Sequence, residues 1–130
     1  MNIDRNVLLL PRVGLAELAV YQEACDILLM PFPKTIHYSF YMSPLKMFEY
    51  MAARRPIIAS DLPSVKDILN NNNAFFVPPD DAVALTKKII YAINETPVAQ
   101  QKSDNAFREV REYTWEKRAK KILEFLNSNN

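Results

Sequence analysis

The sequence of 130 residues holds one glycine, one cysteine and one histidine. Each shortage removes a class of chemistry. Loops that cradle phosphates take several glycines, because their backbone must approach the ligand closely and adopt positive φ. With Gly14 alone, neither a GxGxxG turn nor a P-loop can be written. Cys25 has no second cysteine to pair with, and Cys25 plus His37 cannot assemble a zinc cluster. Cys25 falls between a helical pattern and an apolar run, where a buried structural thiol is expected. His37 belongs to a polar, aromatic loop and reads as a loop residue. Sixteen Lys and Arg against fifteen Asp and Glu leave a formal charge of +1, too little for the broad positive field of a nucleic-acid binder. No apolar run reaches the roughly eighteen residues of a membrane span, and the opening "MNIDRNVLLLPR" has neither the apolar length nor the cleavage site of a secretory signal. The expectation is a cytoplasmic protein with no transmembrane segment and no bound metal.

What is present is an alternation of two periods. "NVLLL" (6–10), "DILLMPF" (26–32), "PIIAS" (56–60) and "AFFVP" (74–78) are apolar runs of strand length, suited to strands buried on both faces. Helical patterns fall at about 14–24, 44–54 and 64–70, then at about 81–95, 97–112 and 115–127. In 81–95 the spacing puts Ala82, Leu85, Ile89 and Ile93 on one face; in 115–127 it puts Trp115, Ala119, Ile122 and Leu126 together, with "EKR" and "KK" outside. Asp80 and Thr114 stand where N-caps belong, and "NNNN" (70–73) reads as a turn. Strand alternating with helix predicts a single α/β layered domain over 1–130, with a mostly parallel sheet of about four strands and C-terminal helices.

In such sheets ligands sit beyond the carboxyl ends of the strands. The loop after "DILLMPF" is about ten residues long, against the two to six that are usual there. It ends at "SPLKMFEY", where Ser43 is placed as N-cap and Pro44 as the first helical residue. The amides of Leu45 and Lys46 would then point out of a positively polarised helix end, with the Lys46 side chain beside them, forming a site the size of a phosphate. Leu45, Phe48 and Ala52 are expected to pack on the sheet, which leaves Glu49 near the border of that face. Its carboxylate could accept two hydrogen bonds from a vicinal diol, or simply pair with Lys46 at i, i+3. Spacing alone favours the ion pair, as it favours a plain cap for Ser43.

The string "SPLKMFEYMAARRPIIASDLPSVKDIL", with "YQEACDILLMPFP" before it and "NNAFFVPPDDAVALTKKI" and "YTWEKRAKKILEFL" after it, resembles the carboxyl half of the retaining GT-B glycosyltransferases of the group 1 or family 4 type. The resemblance runs from residue 6 to residue 127. It implies a three-layer Rossmann-like domain that takes part in glycosyl transfer from a nucleotide-diphosphate sugar, with no cofactor besides that donor. It further implies that Ser43, Pro44, Leu45 and Lys46 face the donor diphosphate and that Glu49 holds the ribose hydroxyls. Surface polysaccharide or glycoconjugate synthesis is the implied setting, with the whole enzyme peripheral to the inner membrane face.

Two departures from the family pattern stand out. Where many members carry a second glutamate eight positions before the ribose-binding one, this chain has Tyr41, a neutral group with one hydroxyl. His37, Tyr38 and Ser39 are the neighbouring candidates to replace it. Against the family the chain also has no acceptor half and no start of the donor half, so the domain is expected to be partial. Its implied partners are a nucleotide sugar and a separate acceptor-domain chain or a second copy of itself. The alternative reading is a non-catalytic remnant or an interaction module that complements another chain.

Overall fold

The computed structural model describes residues 6–128. Three strands form a wholly parallel sheet in the order β1 (Leu28–Met30), β2 (Ile57–Ser60), β3 (Phe75–Val77). The fourth strand expected, at 6–10, does not form. Val7, Leu8, Leu9 and Leu10 have no ladder partner and remain 51%, 81%, 88% and 48% exposed. An apolar run becomes a strand only where a neighbouring edge takes its backbone hydrogen bonds, and this one enters none of the ladders.

Between the strands run α1 (Leu15–Ala24), α2 (Leu45–Ala52) and α3 (Pro63–Lys66); after them come α4 (Ala82–Asn94), α5 (Thr96–Glu109) and α6 (Trp115–Ser128). The alternation of side chains along β2 divides the core into two layers. Ile57 and Ala59 join Met30, Met47, Met51, Leu62, Val65 and Leu69 on one face. Ile58 joins Phe75, Val77 and Ala92 on the other. Helix α5 serves both, giving Ala106 to the first layer and Ala99 to the second. Helices therefore cover both faces of a parallel sheet, the Rossmann-like arrangement.

Several helices present a different face or end from the one expected. In α2 the buried side chains are Met47 and Met51, whereas Leu45 is 67% exposed and Ala52 is exposed. Methionine is flexible and fills the irregular space against the sheet, which rotates Leu45 outward. In α4 the inward face runs through Leu85, Ile89 and Ala92, with Ile93 and Ala82 outside. Asp81, not Asp80, caps α4, accepting from the Ala84 amide at 2.8 Å. Asp80 instead adopts φ 60° and accepts from the Lys34 amide at 2.9 Å, tying the long loop after β1 to the turn after β3. Cys25 is exposed at the end of α1, its thiol on the Tyr21 carbonyl, because the chain leaves the helix there before entering the sheet. Thr114 does cap α6, accepting from the Lys117 amide at 3.2 Å.

The asparagine turn is the polar anchor of the domain. Asn73 is fully buried; its amide donates to Glu109 at 2.6 Å and its carbonyl accepts from the Asn70 amide at 2.7 Å. Asn105 of α5 donates to the Asn72 carbonyl at 2.8 Å, and Lys102 reaches the carbonyls of Asn71 and Ala74. Helix α5 is thereby fastened along the whole turn that leads into β3. With one glycine in the chain, left-handed backbone falls to Arg54 and Asp80, a conformation that costs an L-residue roughly 1–2 kcal/mol. Arg54 just after α2 recovers part of this by its ion pair to Asp104 at 2.6 Å.

Candidate functional site

The loop from Pro31 to Met42, after β1, folds into a packed turn rather than an open lid. Residues His37–Tyr41 form one π-helical turn. Within it Tyr38 stacks on Phe32 with ring centroids 5.3 Å apart, and His37 meets the edge of Tyr38 at 5.5 Å. Ser39 is buried, and Ser64 donates to the Tyr38 carbonyl. Tyr38 and Ser39 are thus occupied in holding the turn. Tyr41 closes the turn with its side chain 75% exposed.

Pro44, rather than Ser43, is the N-cap of α2, with extended backbone at φ −76° and ψ 119°. No side chain caps the helix. Proline at this position leaves Leu45 as the first helical residue and moves Ser43 one step out of capping reach. The Met47 amide is bonded to the Pro44 carbonyl at 3.1 Å, so the amides of Leu45 and Lys46 occupy the unpaired first turn.

Ser43, Leu45 and Glu49 line one cleft of about 670 Å³. Phe48 and Ile68 line it as well, and residues of α6 supply a further wall. That volume is in the range that holds a small-molecule ligand, roughly 300–1,000 Å³. Glu49 is half-buried and makes no ion pair with Lys46; its carboxylate accepts a long hydrogen bond, 3.4 Å, from Gln22 of α1. Gln22 is the buried residue of α1, and that helix is also tied down by Arg55, which donates to the Glu23 carbonyl at 2.6 Å. Gln22 is the one hydrogen-bond partner of the Glu49 carboxylate among the described residues, and Glu49 also lines a second cleft of about 290 Å³ with Leu15, Leu18 and Gln22 of α1.

Lys46 departs from the expected cluster. Its ammonium lies 4.4 Å from the Phe32 ring centroid and 6.0 Å from that of Tyr50, and it is not among the cleft residues. Burial against these rings lowers the Lys46 pKa below its usual value. The same burial raises the Tyr50 hydroxyl pKa, with Cys25 and Glu49 adding to the shift. Of the six residues singled out from sequence, Ser43, Leu45 and Glu49 therefore share a cleft; Pro44 sets the helix start between them, while Lys46 and Tyr41 are not among the cleft residues.

The far wall holds what sequence spacing missed. Trp115, Arg118, Lys121 and Ile122 of α6 line the cleft, together with Tyr113, whose ring packs 5.2 Å from Phe48. The apolar stripe of α6 by itself puts these basic residues on the outer face. A signal for the opposite placement is present in their spacing, since Trp115, Arg118 and Ile122 at i, i+3 and i+7 share one side of a helix.

The sequence model of the family Glycosyl transferases group 1 matches residues 1–95. A Bacillus subtilis (strain 168) protein, TuaH, named as a teichuronic acid biosynthesis glycosyltransferase, is 30% identical over 98 residues, 73% of this chain and 22% of TuaH. The sucrose-phosphate synthase of Thermosynechococcus elongatus superposes with a TM-score of 0.73 at 24% identity, over 93% of this chain and 30% of the synthase. Anabaena HepE, solved with UDP-glucose, superposes with a TM-score of 0.69 at 20% identity, over 83% of this chain and 29% of HepE. The chain thus spans less than a third of each relative.

Proposed function

The chain belongs to the group 1 glycosyltransferases, and from that premise we propose that it is a partial donor domain over residues 1–130, contributing to binding of a nucleotide-diphosphate sugar. The observation that carries this reading is Glu49: a half-buried carboxylate, without an ion pair among the described residues, in a cleft that it shares with Ser43 just before α2. A ribose offers two adjacent hydroxyl donors, and a carboxylate with free lone pairs accepts both at fixed spacing. Binding of this kind places the sugar diphosphate toward the first turn of α2, where the Leu45 and Lys46 amides and the helix dipole favour negative charge. Pro44 contributes by fixing where that turn begins. Tyr41 takes the position beside the transferred sugar as a neutral hydrogen-bonding group, and Lys46 adds its charge at longer range. No metal or further cofactor takes part.

The setting we infer is polysaccharide or glycoconjugate synthesis in the cytoplasm, with the whole enzyme peripheral to the inner membrane face and the acceptor a glycan or lipid. HepE solved with UDP-glucose and TuaH named for teichuronic acid biosynthesis support a sugar-nucleotide donor and a polysaccharide product. Among the described residues no helix is long and apolar enough to cross a membrane. A second reading, a non-catalytic module that completes another chain, is favoured by one feature, the exposed apolar residues 7–10.

Titration of the chain with UDP-, GDP- and ADP-sugars, followed by NMR, tests the donor reading. Expected are shifts confined to α2 and the cleft, millimolar affinity for one base series, and at least about tenfold weaker binding in Glu49→Ala, as loss of a hydrogen bond to a charged group worth roughly 1.5–3 kcal/mol requires. Equal affinity in wild type and Glu49→Ala would reject the role of Glu49. Turnover by the chain alone would exclude the non-catalytic module.

A further inference from the structure

Helix α6 carries a contradiction in its own pattern. Trp115, Ile122, Phe125 and Leu126 make an apolar stripe that lines the same cleft as Glu49. Arg118 sits within that stripe, one turn from both Trp115 and Ile122, where a helix meant only to pack would place another hydrophobe. Lys121 lines the cleft one turn further on. Both basic side chains are exposed, and neither makes an ion pair within 4.0 Å among the described residues. The other carboxylate on this wall, Glu112, is already neutralised by Lys117 at 2.7 Å. Lys121 also acts on the Glu112 carboxylate through space, so among the described residues Arg118 is the cleft cation, and Glu49 the cleft carboxylate, that stands without an ion pair.

We propose that Arg118 and Lys121 bind the pyrophosphate of a nucleoside diphosphate whose ribose is held by Glu49. The inference rests on the donor reading of the cleft and adds to it the cationic partner that α2 does not supply there, since the Lys46 ammonium is seated against Phe32. Arginine suits this role because its planar fork donates two parallel hydrogen bonds to phosphate oxygens, whereas lysine acts as a point charge. The Arg118 guanidinium lies 5.8 Å from the Trp115 ring centroid, and stacking of this kind holds the fork in place before a ligand arrives. Carrying the carboxylate on α2 and the two cations on α6 also orders the ligand: the neutral, hydroxyl-rich ribose goes to Glu49 and the anion between α6 and the first turn of α2. The reverse orientation would set phosphate against carboxylate.

The test compares UDP, uridine and inorganic pyrophosphate in NMR titrations of the wild-type chain, Arg118→Gln/Lys121→Gln and Glu49→Gln. The α6 variant is expected to weaken UDP and pyrophosphate at least about tenfold and uridine by less than about twofold, and to flatten the dependence of UDP affinity on salt. Glu49→Gln is expected to weaken UDP and uridine together and to leave pyrophosphate unchanged. UDP and pyrophosphate binding as in wild type by the α6 variant would overturn the inference, while weaker uridine binding in Glu49→Gln would still uphold the donor reading. Uridine and UDP affinities unchanged in Glu49→Gln, with pyrophosphate lost in the α6 variant, would overturn the ribose reading and keep the anion site. Because both α6 side chains are exposed, the variants should keep the wild-type circular dichroism spectrum.

Discussion

Replacing Asn73 by alanine should cost the domain about 3 kcal/mol. The side chain is fully buried and makes two short bonds, one donated to the Glu109 carboxylate and one accepted from the Asn70 amide. The neutral bond contributes roughly 0.5–1.5 kcal/mol and the bond to the charged carboxylate roughly 1.5–3 kcal/mol. Glu109 is only half-buried, so water re-enters on its open side and the orphaned carboxylate adds little. Urea denaturation should show the loss as a lower midpoint with an unchanged slope. In a thermal scan the same loss should lower Tm by roughly 10 °C for a domain of this size. A double-mutant cycle with Glu109→Ala should return most of the cost as coupling between the two residues. A loss under about 1 kcal/mol, or additive single variants, would refute the view that this turn is the anchor of α5.

Ser43→Ala and Thr114→Ala should behave differently although both residues read as caps: Thr114→Ala should cost about 1 kcal/mol and speed amide exchange in α6, whereas Ser43→Ala should leave stability within about 0.5 kcal/mol. Equal losses would contradict the placement of Pro44 as the cap of α2. The Asp104 carboxyl is held below its usual range, first by its hydrogen bond from Arg54 and then by Gln100 and the nearby arginines. Its contribution to stability is therefore present above the usual carboxylate pKa and fades as pH falls through the lowered value; in Arg54→Gln an NMR titration should find Asp104 titrating higher, and an unchanged midpoint would sink the pairing. Leu9→Lys should leave Tm within about 2 °C, because the side chain is 88% exposed. The same change should reduce concentration-dependent association in light scattering, since an exposed apolar run seeks partners; a large fall in Tm would mean that residues 7–10 are packed.

Local chemistry by itself determined a good deal here. The three buried runs became strands because Ile57, Ile58, Phe75 and their neighbours can be satisfied only between two apolar layers. Thr114 and the asparagine turn were legible because caps and turns are made by side chains that reach their own backbone. The "SPLKMFE" string located the helix that brings Ser43 and Glu49 to one cleft. Tertiary structure decided everything that depends on a distant partner. The run at 6–10 has strand composition, yet pairing belongs to two segments and composition to one. Glu49 meets Gln22 rather than Lys46 because α1 docks where no spacing rule within α2 could place it. Lys46 is drawn to Phe32 by the fold of the preceding loop. Arg118 and Lys121 enter the cleft because the fold brings α6 to the same cleft as Ser43 and Glu49, so which side of that helix counts as inside was fixed only by the other elements.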